Sequence, residues 1–235
     1  MTDERIVCAD PEALAERGAS WLVDTVLRMD APVVRLALSG GSTPQRLYQR
    51  LAKPPHRDHM PWDRLAVFWG DERAVPADDE ASNHRMAKEA LLDRVSARAV
   101  HRIEAERPDA AARYHTLLNT MATDGGPPLH VVLLGMGTDG HTASLFPDTP
   151  NMATEAWVVE TTSPSPPTRR ISLTLAAINA ASAVGILVSG ASKAERLAEV
   201  WAARDEPTAT LPLARVRPTG RRVWLLDEEA AARLP

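Results

Sequence analysis

The sequence predicts an α/β protein built on an open, mainly parallel sheet flanked by helices on both faces. Two observations carry this expectation. Short apolar, β-branched runs alternate with helical patterns along the chain, as βαβ units require. The composition, 44% apolar and 25% charged over 235 residues, is that of an ordinary globular chain able to bury a sizeable core. A third observation sets the organisation. The proline-rich joints Pro54-Pro55, Pro127-Pro128 and Pro164-Ser165-Pro166-Pro167 are too short to be free linkers, and no internal repeat is present, so residues 1–235 read as one domain.

Asp10-Pro11-Glu12 has the order of an N-cap, an N1 proline and a first-turn acid, opening a helix that runs to about Met29. Val33–Ser39 (VVRLALS) is the first expected strand. Leu65–Trp69 (LAVFW) and Leu129–Leu134 (LHVVLL) follow, then Trp157–Thr161 (WVVET), Ala183–Ser189 (AVGILVS) and Arg222–Leu226 (RVWLL). Helical patterns occupy Pro44–Leu51, Ala81–Val95, Pro108–Met121, Ser192–Ala203 and Asp227–Leu234. The weakly polar stretch from Leu173 to Ala191 is broken by Asn179, Ser182, Gly185 and Ser189, which fits a helix or turn and then a strand, not a membrane span.

The 27 basic and 31 acidic side chains leave a net charge of −4, so no basic surface for nucleic acid is expected. Only three of the 27 are lysines: Lys53, Lys88 and Lys193. The single cysteine, Cys8, excludes an intramolecular disulfide and a multi-cysteine zinc site, and it points to a reduced, cytoplasmic setting. Met1-Thr2-Asp3-Glu4-Arg5 leads into no apolar core of a secretory signal, and no membrane association is expected. His56 and His59, in the proline-flanked segment PPHRDHMP, are expected at the surface. His84, His101, His115 and His130 have no clustered partners in sequence. No metal and no cofactor are expected. Oligomeric state stays open, a monomer being one option.

Ligands of open parallel sheets bind beyond the C-terminal ends of the strands, so the loops that follow strands matter most. After the first expected strand comes Ser39-Gly40-Gly41-Ser42-Thr43-Pro44, a glycine-rich turn feeding a helix, with Thr43-Pro44 placed as N-cap and N1. Such a turn offers free N–H groups and a positive dipole end to an anion. It lacks the G-K-[ST] ending of a nucleotide-binding P-loop. LAVFW leads into Gly70-Asp71-Glu72-Arg73-Ala74-Val75-Pro76, with Ser82-Asn83 further on, either a solvated turn or a cluster of acids and a cation at a buried strand end.

LHVVLL is followed by Gly135-Met136-Gly137-Thr138-Asp139-Gly140-His141-Thr142-Ala143-Ser144. This contains a literal G-x-G-x-x-G, but Pro147 and Pro150 interrupt the long helix that a dinucleotide fold needs next. What the loop supplies is an imidazole, His141, beside a carboxylate, Asp139, and histidine is the commonest acid–base side chain near neutrality. AVGILVS leads into Gly190-Ala191-Ser192-Lys193 at a helix start, where a cation is unfavourable unless an anion neutralises it. Arg169-Arg170, after the proline cluster, offers a fork-shaped donor for phosphate.

The ordered set S-G-G-S-T-P, W-G-D-E-R-x-V-P with S-N downstream, G-M-G-x-D-G-H-T-A-S-L-F-P and P-P-x-R-R-I-S-L-T resembles the family of 6-phosphogluconolactonases and glucosamine-6-phosphate deaminases, over nearly the whole chain to G-A-S-K-A-E. The resemblance implies a modified Rossmann-like, NagB-like sheet. It also implies a sugar-phosphate lactone as partner, 6-phospho-D-glucono-1,5-lactone, hydrolysed to 6-phosphogluconate in the oxidative pentose phosphate pathway. In the deaminase branch the segment after the histidine resembles I-A-F-N-E-P, with a glutamate before the proline. Here Phe146 stands at that place, and Arg73 follows the D-E pair where that branch lacks an arginine, so the lactonase branch is favoured.

On this footing His141 is the expected general base, with Asp139 orienting its ring or meeting substrate hydroxyls. Arg73 is expected to stabilise developing negative charge or clamp the substrate, and Asp71 to position Arg73 or bind sugar hydroxyls. Gly40, Gly41, Ser42, Thr43, Lys193 and Arg170 are the expected phosphate donors, Arg170 being preferred to Arg169 because the family pattern puts arginine directly before isoleucine.

Overall fold

The computed structural model describes residues 2–122, 126–147, 149, 154–204 and 206–235. Its strands are β1 (Thr2–Cys8), β2 (Val34–Leu38), β3 (Leu65–Trp69), β4 (Asp71–Arg73), β5 (Ala99–Val100), β6 (Val131–Gly135), β7 (Val158–Thr162), β8 (Arg169–Leu173), β9 (Ala183–Val188) and β10 (Arg221–Asp227). The helices are α1 (Pro11–Arg28), α2 (Ser42–Leu51), α3 (His56–His59), α4 (Asn83–Ala90), α5 (Ala110–Met121), α6 (Leu175–Asn179), α7 (Ala194–Ala203) and α8 (Glu228–Ala231). Seven strands form a parallel sheet in the order β1-β10-β9-β6-β2-β3-β5. Three more, β4-β8-β7, form a small antiparallel sheet.

The expected α/β class holds, and its physical cause is visible in burial. Every residue of β3 and β9 is buried, as befits strands covered on both faces, and Trp69, Trp224, Tyr48 and Phe68 are among the largest fully buried side chains. Asp10 caps α1 by accepting from Ala13 N at 2.8 Å, with Pro11 inside the first turn. Helix α1 packs on α2 and β10. Among the described residues, no helix is long and apolar enough to cross a membrane.

The structure departs from the sequence reading where polar residues pair. Thr2–Cys8 is an edge strand, held to β10 by backbone register and by Asp3, which accepts from Arg222 at 2.7 and 3.0 Å. Arg169-Arg170 is part of β8 rather than a loop, and Asp71–Arg73 is strand rather than turn, because the two segments hydrogen-bond to each other. The expected helix 81–95 stops at Ala90, followed by a 3₁₀ turn, and the one expected from Asp227 shortens to Glu228–Ala231 because β10 runs to its capping aspartate. His56 is buried, not exposed: its Nε2 donates to Glu16 Oε1 at 2.9 Å, beside an Arg50–Glu16 pair.

His130 begins the segment leading into β6 and sits close to Arg35. Its Nδ1 accepts the Arg35 backbone N–H at 3.0 Å, which requires an unprotonated nitrogen there. Burial, assisted by the Arg35 charge, pushes its pKa down to about 4 from an ordinary 6.5. Between those values the unfolded chain binds a proton that the native chain refuses, so the stability His130 contributes at neutral pH is lost as pH drops from about 6.5 towards 4. Urea midpoints at pH 7 and pH 4.5 check this. His130→Asn, which retains an acceptor but does not titrate, is expected to show the smaller loss.

Candidate functional site

The sheet order explains why separate loops meet. After β2 the chain adds β3 and β5 on one side, and after β6 it adds β9 and β10 on the other, so the direction of winding reverses between β2 and β6. A crevice opens at such a point, beyond the strand C-termini. The contiguous strands β9, β6, β2 and β3 each deliver one of the four loops singled out from sequence. They surround a cleft of about 460 Å³, whose walls include all ten predicted site residues: Gly40, Gly41, Ser42, Thr43, Asp71, Arg73, Asp139, His141, Arg170 and Lys193.

On one wall α2 begins at Ser42, two residues before the expected start, with Gly41 as N-cap at φ 101°. This corrects the assignment of Thr43 as N-cap and Pro44 as N1. The first intrahelical bond, Gln45 N to Gly41 O at 3.0 Å, leaves the N–H groups of Ser42 and Thr43 without helical acceptors. Pro44 has no N–H to waste. Gly41 needs the left-handed freedom of glycine, whereas Gly40 is not at positive φ. At Gly40 the constraint is space: a Cβ would overlap the Asn83 carboxamide, with Asn83 Nδ2 at 2.9 Å the mildest of the contacts.

Opposite, Lys193 ends a 3₁₀ turn (Ala191–Lys193) and caps α7. The turn is fixed from below by Asp227, which is wholly buried and accepts from Ser189 Oγ at 2.6 Å and Gly190 N at 3.0 Å. Burial pulls the Lys193 ammonium below its usual pKa, and the charge of Asp139 opposes that only in part. Among the described residues Lys193 has no ion-pair partner.

The small sheet forms another part of the lining. Register places Arg73 directly across from Arg170, a like-charge pair that is unfavourable in an empty ladder and favourable around an anion. Burial first, and Arg73 second, lower the Arg170 pKa, while Asp71 and Glu72 counter them. Arg170 Nε donates to Pro167 O at 2.7 Å, and Arg73 Nη1 to Ala81 O at 2.7 Å. Strand alternation sends Arg169 elsewhere, to Ala105 O and Glu160, each at 2.8 Å. Of the two neighbours, Arg170 is therefore the one in the cleft. Asp71 does not bond Arg73: its carboxylate accepts from Ser144 Oγ at 2.6 Å and Asn83 Nδ2 at 3.2 Å. Glu72, nearly fully buried, accepts from the backbone of Arg73, Asn83 and His84, so the solvated-turn alternative is overturned.

Behind β6, Asp139 Oδ1 lies 2.6 Å from His141 Nδ1 and also accepts His141 N at 3.1 Å. Burial works to raise the Asp139 carboxyl, but the His141 backbone N–H, charge and ring N–H outweigh it and hold the group below the usual carboxylate range. A carboxylate partner puts the ring proton on Nδ1 and leaves Nε2 as the basic nitrogen. The ring is braced twice more. Phe146 packs against it with centroids 4.8 Å apart, and a Cβ on Gly137 would overlap it while standing 2.6 Å from Asp139 Oδ1. Ala143, in the left-handed region at φ 48°, tightens the turn that follows.

Sequence reasoning left out several cleft residues, among them Ser163–Ser165 of the β7–β8 connection and the buried Asn83. The first group follows no parallel strand. Asn83 had a signal, the S-N pair after G-D-E-R, but no assigned role. Among the described residues no three histidine, cysteine or acidic side chains cluster as metal ligands.

Comparison with known proteins gives the context. Residues 9–224 match the family described as glucosamine-6-phosphate isomerases/6-phosphogluconolactonase. A 6-phosphogluconolactonase of Nostoc sp. is 39% identical over 239 residues, covering 97% of each chain. The structure of 6-phosphogluconolactonase from Trypanosoma brucei superposes with a TM-score of 0.84 at 29% identity, over 100% of this chain and 99% of that one. A monomeric glucosamine-6-phosphate deaminase, 20% identical with a TM-score of 0.81 over 99% and 100% of the two chains, shares the fold.

Proposed function

The chain belongs to the glucosamine-6-phosphate isomerase/6-phosphogluconolactonase family, and from that premise we propose that it hydrolyses 6-phospho-D-glucono-1,5-lactone to 6-phosphogluconate, without a metal, by His141-assisted attack of water. The observation that carries the reading is the pairing, in one cleft, of an Asp139–His141 couple with a set of anion donors that includes Arg170 and Lys193. The phosphate is received by the Gly40–Thr43 turn, Lys193 and Arg170. These make a local positive field in a chain whose net charge of −4 would otherwise oppose an anionic substrate. His141 Nε2 takes a proton as the water oxygen bonds to C1. The tetrahedral oxyanion is met by Arg73, and the imidazolium returns the proton to the ring oxygen as the C1–O bond breaks. Asp139 holds the tautomer and stabilises the transient imidazolium. A lactone is an activated ester, so no Lewis acid is required.

Phe146 favours this branch over amino-sugar deamination, because an apolar ring, not a second acid, packs against His141. Side-by-side assays with fresh lactone and with glucosamine 6-phosphate test the choice. Accelerated acid release without ammonia is expected, and ammonia release from the amino sugar would reverse the assignment. Gly137→Ala adds a sharper expectation. The new methyl group must displace the imidazole, and a displacement near 1 Å costs about 10²-fold in turnover. The kcat of this variant, with an unchanged circular dichroism spectrum, checks it.

A further inference from the structure

Asn83 is 1% exposed, lies in the wall of the cleft, and has no part in the chemistry above. Its Nδ2 donates to Asp71 O at 2.9 Å and to Asp71 Oδ1 at 3.2 Å, and its own N–H donates to Glu72 Oε1 at 2.8 Å. Because the groups facing Nδ2 are acceptors only, the amide orientation is dictated, and Oδ1 is turned towards Gly40. Among the described residues that oxygen is buried without a hydrogen-bond partner. An orphaned buried acceptor is costly, and here it is in van der Waals contact with the one position of the turn where glycine is needed for space and not for φ. On the far side Asp71 Oδ2 receives Ser144 Oγ at 2.6 Å, and Ser144 N in turn donates to Ser172 Oγ at 3.1 Å. A continuous line therefore runs from Gly40 through Asn83 and Asp71 to Ser144, three residues beyond His141.

We infer that Asn83 is a positioning residue, a strut between the Gly40 turn and Asp71 that sets the separation of the anion-binding turn from the His141 loop. Gly40 is its steric counterpart: the turn can approach the carboxamide only while residue 40 has no side chain. The inference rests on the lactonase reading for its kinetic consequences, but not for its effect on the turn itself.

The test uses the full chain carrying Asn83→Ala, Asn83→Asp, Gly40→Ala and the Gly40→Ala/Asn83→Ala pair, with lactone turnover between pH 5.5 and 7.5 (about the range in which a carboxyl among acids titrates). Asn83→Ala and Gly40→Ala are each expected to lower kcat/KM by about 10- to 100-fold. In the double variant the carboxamide is gone, so Gly40→Ala should cost less than about twofold more. Asn83→Asp puts a carboxyl against Asp71 and Glu72, with Arg73 as the adjoining cation. Protonated, it can donate to Asp71; ionised, it cannot. Its activity relative to the unsubstituted chain should therefore rise as pH falls, whereas the Asn83→Ala ratio should stay flat.

A Gly40→Ala cost that is equal in both backgrounds, or a flat Asn83→Asp ratio, overturns the strut. Titration of the Asn83→Ala, Gly40→Ala and double variants with inorganic phosphate at pH 7 repeats the cycle without turnover. If the unsubstituted chain binds phosphate but does not open the lactone, the lactonase reading fails while the strut is still judged by that cycle. If it does not bind phosphate, both fail.

Discussion

Replacing His141 with alanine is expected to lower kcat for the lactone by about 10²–10⁴-fold, the range typical of a lost general base. KM and phosphate affinity should change little, because His141 lies behind β6 while the anion donors project from other loops. His141→Gln should be nearly as inactive: an amide can occupy the pocket against Phe146 but cannot accept and return a proton. Asp139→Asn separates orientation from base strength. It retains a hydrogen-bonding group at Nδ1 but permits the wrong tautomer, and should lose less than His141→Ala. Wild-type turnover in His141→Ala would remove the imidazole from the mechanism.

The second large effect belongs to Lys193. A charge-assisted hydrogen bond to phosphate contributes about 1.5–3 kcal/mol, so Lys193→Ala should raise KM by about 10- to 150-fold with a smaller change in kcat. Arg170→Ala should behave in the same direction, with its loss partly offset because the Arg73–Arg170 repulsion disappears. Burial holds the Lys193 pKa below that of an ordinary lysine. The ammonium is therefore discharged earlier as pH rises, and affinity for 6-phosphogluconate should weaken on the alkaline side sooner than in Lys193→Arg. Calorimetric titration with the product at a series of pH values measures this. An unchanged KM in Lys193→Ala would move the phosphate elsewhere in the cleft.

How much of this was legible in the chain depends on the range of the interaction involved. The Asp139–His141 contact joins residues two apart on a glycine-rich support, and the Gly40–Thr43 turn is continuous in sequence, so both could be read locally. Asp10 and Pro11 announced α1 for the same reason. The antiparallel strands β4 and β8 could not be read this way. Asp71–Arg73 is three residues long, has no apolar alternation, and becomes a strand only by pairing with a segment about one hundred residues away. The same non-local pairing decides between Arg169 and Arg170, since only the register of β8 shows which side chain enters the cleft. His56 looked exposed among prolines and charges; its partner Glu16 lies forty residues earlier on α1. The strand order likewise follows from which faces cover which, yet it alone brings four scattered loops to one crevice.

The family resemblance worked at a different level. The motifs favour the lactonase branch through Phe146 and Arg73, positions whose meaning is comparative. The structure adds what each one touches: the imidazole for Phe146, and Arg170 with the Ala81 carbonyl for Arg73.

The most direct measurement is the initial rate of acid release from freshly generated 6-phospho-D-glucono-1,5-lactone, set against spontaneous hydrolysis, after the protein has been dialysed against a strong chelator. A saturable acceleration that survives chelation and is competed by inorganic phosphate is expected. A rate indistinguishable from the spontaneous one would contradict the assigned reaction, and an acceleration abolished by the chelator and restored by a divalent cation would contradict the metal-free mechanism centred on His141.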